Sequence, residues 1–192
     1  MDCHGLALGQ ALTQSVGPLL GDRQLVLDID GDPVIYANTL VAAHSHLRPM
    51  VLDQSPVDAL GRTAIKSHGF SDKVEVVRAN MFTDPWPSAD IHLLSDVLHD
   101  WDIPELRTLL QRSADSRASG GLVIIHEVFI NDDKTGTTAV TNYSALLMQV
   151  NQGKCYTSRE YGTNMTKVGL KPGPYRNTLG DRGYMTAVKV SR

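Results

Sequence analysis

Short apolar runs that close on a polar or acidic residue recur along the chain. Gln24-Leu25-Val26-Leu27-Asp28-Ile29 is bounded by Gly31 and Pro33, and Pro49-Met50-Val51-Leu52-Asp53 repeats the form. Val74 to Arg78, Ala89 to Ser95 and Leu122 to Ile130 follow. Runs of about four to eight apolar residues between turn signals mark strands buried on both faces, as in parallel sheets. Between them apolar positions recur at helical spacing, from Val34 to Ala43 and from Val57 to Ser67, where His68-Gly69 supplies the stop. Asp102 is placed to cap a further helix with Pro104 in its first turn and Leu106, Leu109 and Leu110 on its apolar face. Helices are also predicted over Val140 to Val150 and Ser158 to Val168. Residues Gly5 to Leu20 read as a short helix that stops before Gly17-Pro18, and Pro172 to Val190 as a closing hairpin with Gly180-Asp181-Arg182-Gly183 as its turn.

This alternation predicts a single three-layer α/β sandwich with a mostly parallel sheet. Right-handed crossovers put the carboxyl ends of the strands on one rim, where open α/β sheets bind ligands. Asp28, Asp53, Asn80, His99 and Glu127 all fall on or near that rim. One stretch is the most informative: Leu93-Leu94-Ser95-Asp96-Val97-Leu98 carries an apolar run with the look of a buried strand and ends in His99-Asp100-Trp101-Asp102.

Charge narrows the candidate functions. The formal net charge of the 192 residues is -3, and Lys and Arg are scattered rather than clustered, so nucleic acid is not an expected partner. Cys3 and Cys155 lie far apart and match no metal or redox spacing, so neither a metal site nor a disulfide framework is expected. No apolar run approaches the roughly 18 residues that span a bilayer, and no basic leader precedes an apolar core; no membrane association and a cytoplasmic location are the expectations.

Set in order, Val26-Leu27-Asp28, Val51-Leu52-Asp53, Met81-Phe82, Val97-Leu98-His99-Asp100-Trp101, Gly120-Gly121 through Glu127, and Gly153-Lys154 with Thr157 resemble the S-adenosylmethionine-binding domain of the small-molecule O-methyltransferases, the caffeic-acid and acetylserotonin type. The resemblance runs from about Leu25 to Val190. It implies a class I methyltransferase Rossmann-like fold, with a mostly parallel seven-stranded sheet and an antiparallel C-terminal hairpin. It also implies S-adenosylmethionine as cofactor and a small hydroxylated, aromatic or natural-product acceptor. His99 would be the general base and Glu127 the carboxylate that orients it. Asp53 would hold the cofactor ribose, Asn80 the adenine amino group, and Met81, Phe82 and Trp101 the adenine ring. Asp28, Asp30, Gly31 and Ser95 complete the expected cofactor contacts. Plainer readings stand beside these: Glu127 as a solvated strand-end acid, Asp53 as the opening of a turn before Ser55-Pro56, and the three large side chains as core.

Family members also carry a helical N-terminal domain that dimerises and walls the acceptor pocket. The resemblance therefore implies that residues 1–22 are a short helical lead-in or remnant of such a domain, that 23–192 form the cofactor-binding domain, and that a homodimer or partner chain supplies the missing wall. The chain departs from the pattern at four places. The Gly-x-Gly-x-Gly turn reads Asp30-Gly31-Asp32-Pro33-Val34, the acid before Met81 is Asn80, the second carboxylate after Lys154 is Cys155, and Ile103-Pro104 replaces an acidic pair. An active O-methyltransferase and a catalytically impaired partner subunit of the same fold are thus both compatible with the sequence.

Overall fold

The computed structural model describes residues 2–31, 34–116 and 120–189. Helix α1 (Asp2–Leu20) precedes an alternation of strand and helix: β1 (Leu25–Ile29), α2 (Ile35–Ala43), β2 (Arg48–Asp53), α3 (Val57–Ser67), β3 (Glu75–Arg78) and β4 (Ile91–Ser95). A short 3-10 turn (Leu98–Asp100) leads to α4 (Ile103–Ser116), β5 (Leu122–Val128), α5 (Thr138–Val150) and α6 (Ser158–Lys167). The chain closes with β6 (Leu170–Pro172), β7 (Arg176–Asn177) and β8 (Arg182–Lys189).

The sheet runs β3-β2-β1-β4-β5-β8-β6, and β7 pairs with β8 off this path. β1 to β5 are mutually parallel, whereas β8 is antiparallel to β5, β6 and β7. The expected parallel sheet with an antiparallel close is present. The two-residue β7 is an addition to it, and β8 begins at Arg182, a residue the sequence places inside the turn.

Side chains leave successive strand residues on opposite faces, and the two faces carry different helices. Val26, Ile91, Leu93 and Ile124 pack with Leu12, Val16 and Leu20 of α1 and with Ile35 and Leu40 of α2. Leu27, Ile29, Leu94, Val123 and Ile125 face α4 and α6 through Leu106, Leu109, Leu110, Tyr161 and Met165. Strands β4 and β5 are buried at every position, which explains their mainly apolar sequence. No helix among the described residues is long and apolar enough to cross a membrane.

One predicted boundary moves. Helix α1 continues through Gly17-Pro18 to Leu20 instead of stopping before them. Pro18 lies in the last turn, where its missing N–H forfeits one intrahelical bond and its ring disturbs little beyond. Burial of Leu12, Val16 and Leu20 on one stripe outweighs that loss. The opposite requirement, close approach to α2, is met by glycine: a Cβ on Gly9 would lie 2.7 Å from Thr39 Oγ1.

A G9V variant should therefore be destabilised by about 1–3 kcal/mol, because overpacking against α2 exceeds the roughly 0.5–1 kcal/mol gained by removing a helical glycine. Urea denaturation measures this directly.

Candidate active site

Strands β4 and β5 bring the central groups together. Their register pairs Ser95 with His126, so Glu127 stands one residue beyond the end of β4. There Asp96 takes a left-handed conformation (φ 58°), with its amide donating to His126 O at 3.0 Å, and the chain turns into the segment that carries His99. This turn aims the Val97 and Leu98 amides at Glu127 Oε1, at 3.1 and 2.9 Å. Glu127 Oε2 accepts a close hydrogen bond from His99 Nδ1. Glu127 is wholly buried, so the solvated reading of this acid does not hold.

The bond at Nδ1 fixes which nitrogen is available. With Nδ1–H committed to Glu127, neutral His99 presents its lone pair at Nε2. Nε2 faces the Tyr143 hydroxyl of α5 at 3.4 Å and Asp100 Oδ1 at 3.4 Å. Burial alone pulls the imidazole pKa down, but the charge and hydrogen bond of Glu127, helped by Asp96 and Asp100, outweigh it and raise the value to about 9. Burial raises Glu127 above the usual carboxylate range against the pull of His99 and the Leu98 amide.

A second segment clamps this turn from outside. The Gln152 and Gly153 amides both donate to Asp100 O at 3.1 Å, and Tyr156 donates to Trp101 O at 2.7 Å. A Cβ on Gly153 would lie 2.2 Å from His99 O, so only glycine fits. Lys154 pairs with Glu160, which forms a capping box with Thr157 at the start of α6; both residues serve the scaffold. Cys155 packs with Val128, Val140 and Leu147, and burial pushes its thiol up to about 11.

The carboxyl ends of β1, β2 and β3 make a separate cavity of about 110 Å³ beside Trp101. Asp30, Asp53, Asn80, Met81, Phe82 and Trp101 line it, with Gln54 between them. Six residues expected around the cofactor thus share one cavity. It is smaller than the roughly 300 Å³ at which small-molecule sites begin. The edge-to-face contact of Phe82 with Trp101, at 4.6 Å between centroids, closes one side. Asp53 Oδ1 accepts from the Gln54 amide and Asn80 Oδ1 from the Phe82 amide, both at 2.8 Å, leaving each acceptor further capacity. The indole N–H of Trp101 is buried without a hydrogen-bond partner.

Three expected contacts lie elsewhere. Asp28 is fully buried on β1; neither carboxyl oxygen has a well-formed hydrogen bond, although the Ala37 amide is near enough to lower its pKa. Burial dominates, with Asp30 and Asp53 adding, and raises Asp28 to about 7. Gly31 packs on that carboxyl, where a Cβ would come within 2.7 Å of Cγ, so it serves a close approach of backbone to Asp28. Ser95 bonds His126 Nδ1 at 2.9 Å. Asp32 lies outside the described residues. Val34, which closes the loop, has φ 62°, a strained conformation for a β-branched residue.

Sequence reasoning missed Asp96, Tyr143 and Arg182. Asp96 could have been flagged as the acid that ends β4 three residues before His99, whereas Tyr143 and Arg182 reach the site only through tertiary packing.

The raised His99 pKa ties stability to pH. The folded state keeps its proton up to about 9 while the unfolded imidazole loses it near 6.5, so between these values the native state binds more protons and stability falls as pH rises. H99N should flatten that fall when urea midpoints are compared at the two ends of the window. G153A should lose on the order of 1–3 kcal/mol of stability and disturb the His99 turn, visible as broadened histidine resonances.

The profile of the O-methyltransferase domain family matches residues 2–171. A 3-hydroxy-5-methyl-1-naphthoate 3-O-methyltransferase from Streptomyces sahachiroi is 34% identical over 137 residues, covering 71% of this chain and 40% of the relative. Acetylserotonin O-methyltransferase from Macaca mulatta is 25% identical over 156 residues, covering 80% and 44%. Among solved structures, an O-methyltransferase family 2 protein from Planctomyces limnophilus in complex with apigenin superimposes with a TM-score of 0.83 at 26% identity, over 95% of this chain and 61% of that one. The mitomycin 7-O-methyltransferase reaches a TM-score of 0.90 at 19% identity, over 96% and 54%, which speaks to fold alone. The chain spans less than half the length of the two curated relatives named. With the fold, the ordered rim and the family profile in agreement, the chain belongs to the O-methyltransferase domain family.

Proposed function

We propose that this chain carries the cofactor- and base-bearing part of an S-adenosylmethionine-dependent O-methyltransferase acting on a hydroxyl of a small aromatic or natural-product acceptor. The observation that carries the reading is the His99 imidazole, held at Nδ1 by buried Glu127 and facing a phenolic hydroxyl at Nε2. The Tyr143 hydroxyl marks the position from which an acceptor hydroxyl would deliver its proton. The relatives named for naphthoate and acetylserotonin O-methylation support the acceptor class. Nothing comparable favours a non-catalytic partner role.

The cavity residues fit the cofactor in kind: the Asp53 carboxylate for vicinal hydroxyls, the Asn80 amide and the Met81, Phe82 and Trp101 side chains for a purine. The buried, unpartnered Trp101 N–H is the one orphaned donor on that wall. S-adenosylmethionine, when bound, supplies an electrophilic methyl group. Admission of a nucleoside requires Phe82 and Trp101 to part. Neutral His99, whose fraction grows as pH rises toward about 9, then accepts the hydroxyl proton at Nε2, and Glu127 compensates the imidazolium so formed. Asp28 and Gly31 support the Asp30 turn from beneath.

Residues 1–22 are best read as a lead-in helix docked on a cofactor-binding unit of residues 23–192. A partner surface, from a second copy or another chain, would complete the acceptor wall; support comes from α5, where Leu146, Met148 and Val150 are exposed on the helix that carries Tyr143. A cytoplasmic setting goes with the proposal and suits the buried free thiol of Cys155.

S-adenosylhomocysteine should raise the thermal midpoint in a saturable titration, and D53A should weaken that binding about 10–100-fold. H99N should retain the binding and lose on the order of 10²–10⁴-fold in methyl transfer to a hydroxynaphthoate. Absence of any saturable shift with S-adenosylhomocysteine would overturn the proposal.

A further inference from the structure

Outside the dyad, the most heavily connected polar group near His99 is Asp96. Its left-handed backbone holds the side chain at the end of β4, with Oδ1 3.9 Å from His99 Nδ1. Arg182, the first residue of β8, closes an ion pair on that same oxygen, and the Tyr36 hydroxyl of α2 donates to Oδ2 at 3.3 Å. Asp96, His99 and Glu127 each bring an oxygen or ring nitrogen within 4.8 Å of one another. Glu127 already takes the hydrogen bond of Nδ1, so Asp96 acts on the imidazole by charge alone.

We propose that Asp96 and Arg182 are opposed positioning residues for the base: Asp96 supplies the second carboxylate of the site, and Arg182 limits how strongly its charge holds the proton on His99. The proposal rests on His99 being the base in the reading above. The acid expected after Lys154 is the neutral thiol of Cys155, so a second carboxylate comes from β4 instead.

The arrangement tempers a charge problem. Glu127, Asp96 and Asp100 all favour imidazolium and hold the His99 pKa up to about 9, so neutral imidazole, the form that accepts a proton, is the minor form at neutral pH and any further unopposed negative charge would reduce it more. Arg182 is the cation set against them, with a side chain only 20% exposed. Desolvating such a pair costs much of what its attraction returns, so its place beside the base matters more for the imidazole than for stability.

The remaining titratable neighbours carry no charge near neutral pH. Burial lowers His126 of β5 to about 4, where it bonds Ser95 and Thr178. Burial raises Tyr143 of α5 to about 12, and Tyr36 and Tyr161 are raised as well. Glu127, Asp96 and Asp100 are the charges that act on His99, and Arg182 bears on it through its ion pair with Asp96.

The test is an NMR titration of His99 in ring-labelled full chain, assigned by the loss of its signal in H99N. D96N keeps a residue that tolerates the left-handed backbone and should lower the His99 pKa by about one unit. R182Q should raise it by a similar amount, and R182K should return it to the wild-type value. Shifts of the same sign in D96N and R182Q, or no shift in either, would overturn the proposal, since a purely structural pair would respond alike to losing either partner. Because the titration needs neither cofactor nor acceptor, it reads the pair independently of whether the chain transfers methyl groups. Thermal midpoints identify a variant that unfolds, in which case R182K against D96N decides: wild-type pKa in the first and a lowered one in the second are required.

Discussion

The carboxylate of Glu127 is the group on which the site depends. An ionised carboxylate without water costs several kcal/mol. The Val97 amide, the Leu98 amide and His99 Nδ1 meet it here. Hydrogen bonds to charged groups contribute about 1.5–3 kcal/mol each, so the three offset part of the burial, which still holds the carboxyl above its usual range. The same bonds impose order in return: they shape the turn after β4, fix the imidazole tautomer and aim Nε2 outward. Gly153 then presses on the His99 carbonyl from the far side, and the turn has no room to relax.

The rim divides into two halves with different physics. At the ends of β1 to β3 the polar groups line a small cavity, and beneath it burial, with Asp30 and Asp53 adding, pushes Asp28 up to about 7. At the ends of β4 and β5 the groups are buried and paired. Non-glycine residues in the left-handed region mark both halves: Asp30 and Val34 flank the first loop, and Asp96 opens the second turn. Such conformations cost about 1–3 kcal/mol each and persist because surrounding contacts hold them, as the Asp30 amide is held by Leu52 O at 2.8 Å.

Much of the fold was readable in the sequence because β4 and β5 are buried on both faces and so are written as mainly apolar runs, broken by His92 and by the polar residues at their carboxyl ends. The His99 turn was readable because a strand that ends in polar residues has few other uses. Local rules failed where distant contacts decided. Pro18 signalled a helix end, yet the burial of Leu12, Val16 and Leu20 carries α1 past it. Glu127 looked as much like a surface acid as a buried one until the β4–β5 register set it beneath the turn. Arg182 looked like a turn residue, and its meeting with Asp96, 86 residues away, depends on β8 pairing with β5, a relation that leaves no periodic trace.

The claim that everything else rests on is that Glu127 determines the protonation and orientation of His99. Nitrogen chemical shifts of the His99 ring, followed across pH in wild type and E127Q, test it most directly. The structure requires a raised pKa near 9 and an Nδ1-protonated neutral ring in the wild type. In E127Q, with the ring still buried and its strongest anionic partner gone, the pKa should fall by at least about one unit. An unchanged pKa in E127Q, or a neutral ring protonated at Nε2 in the wild type, would contradict the claim.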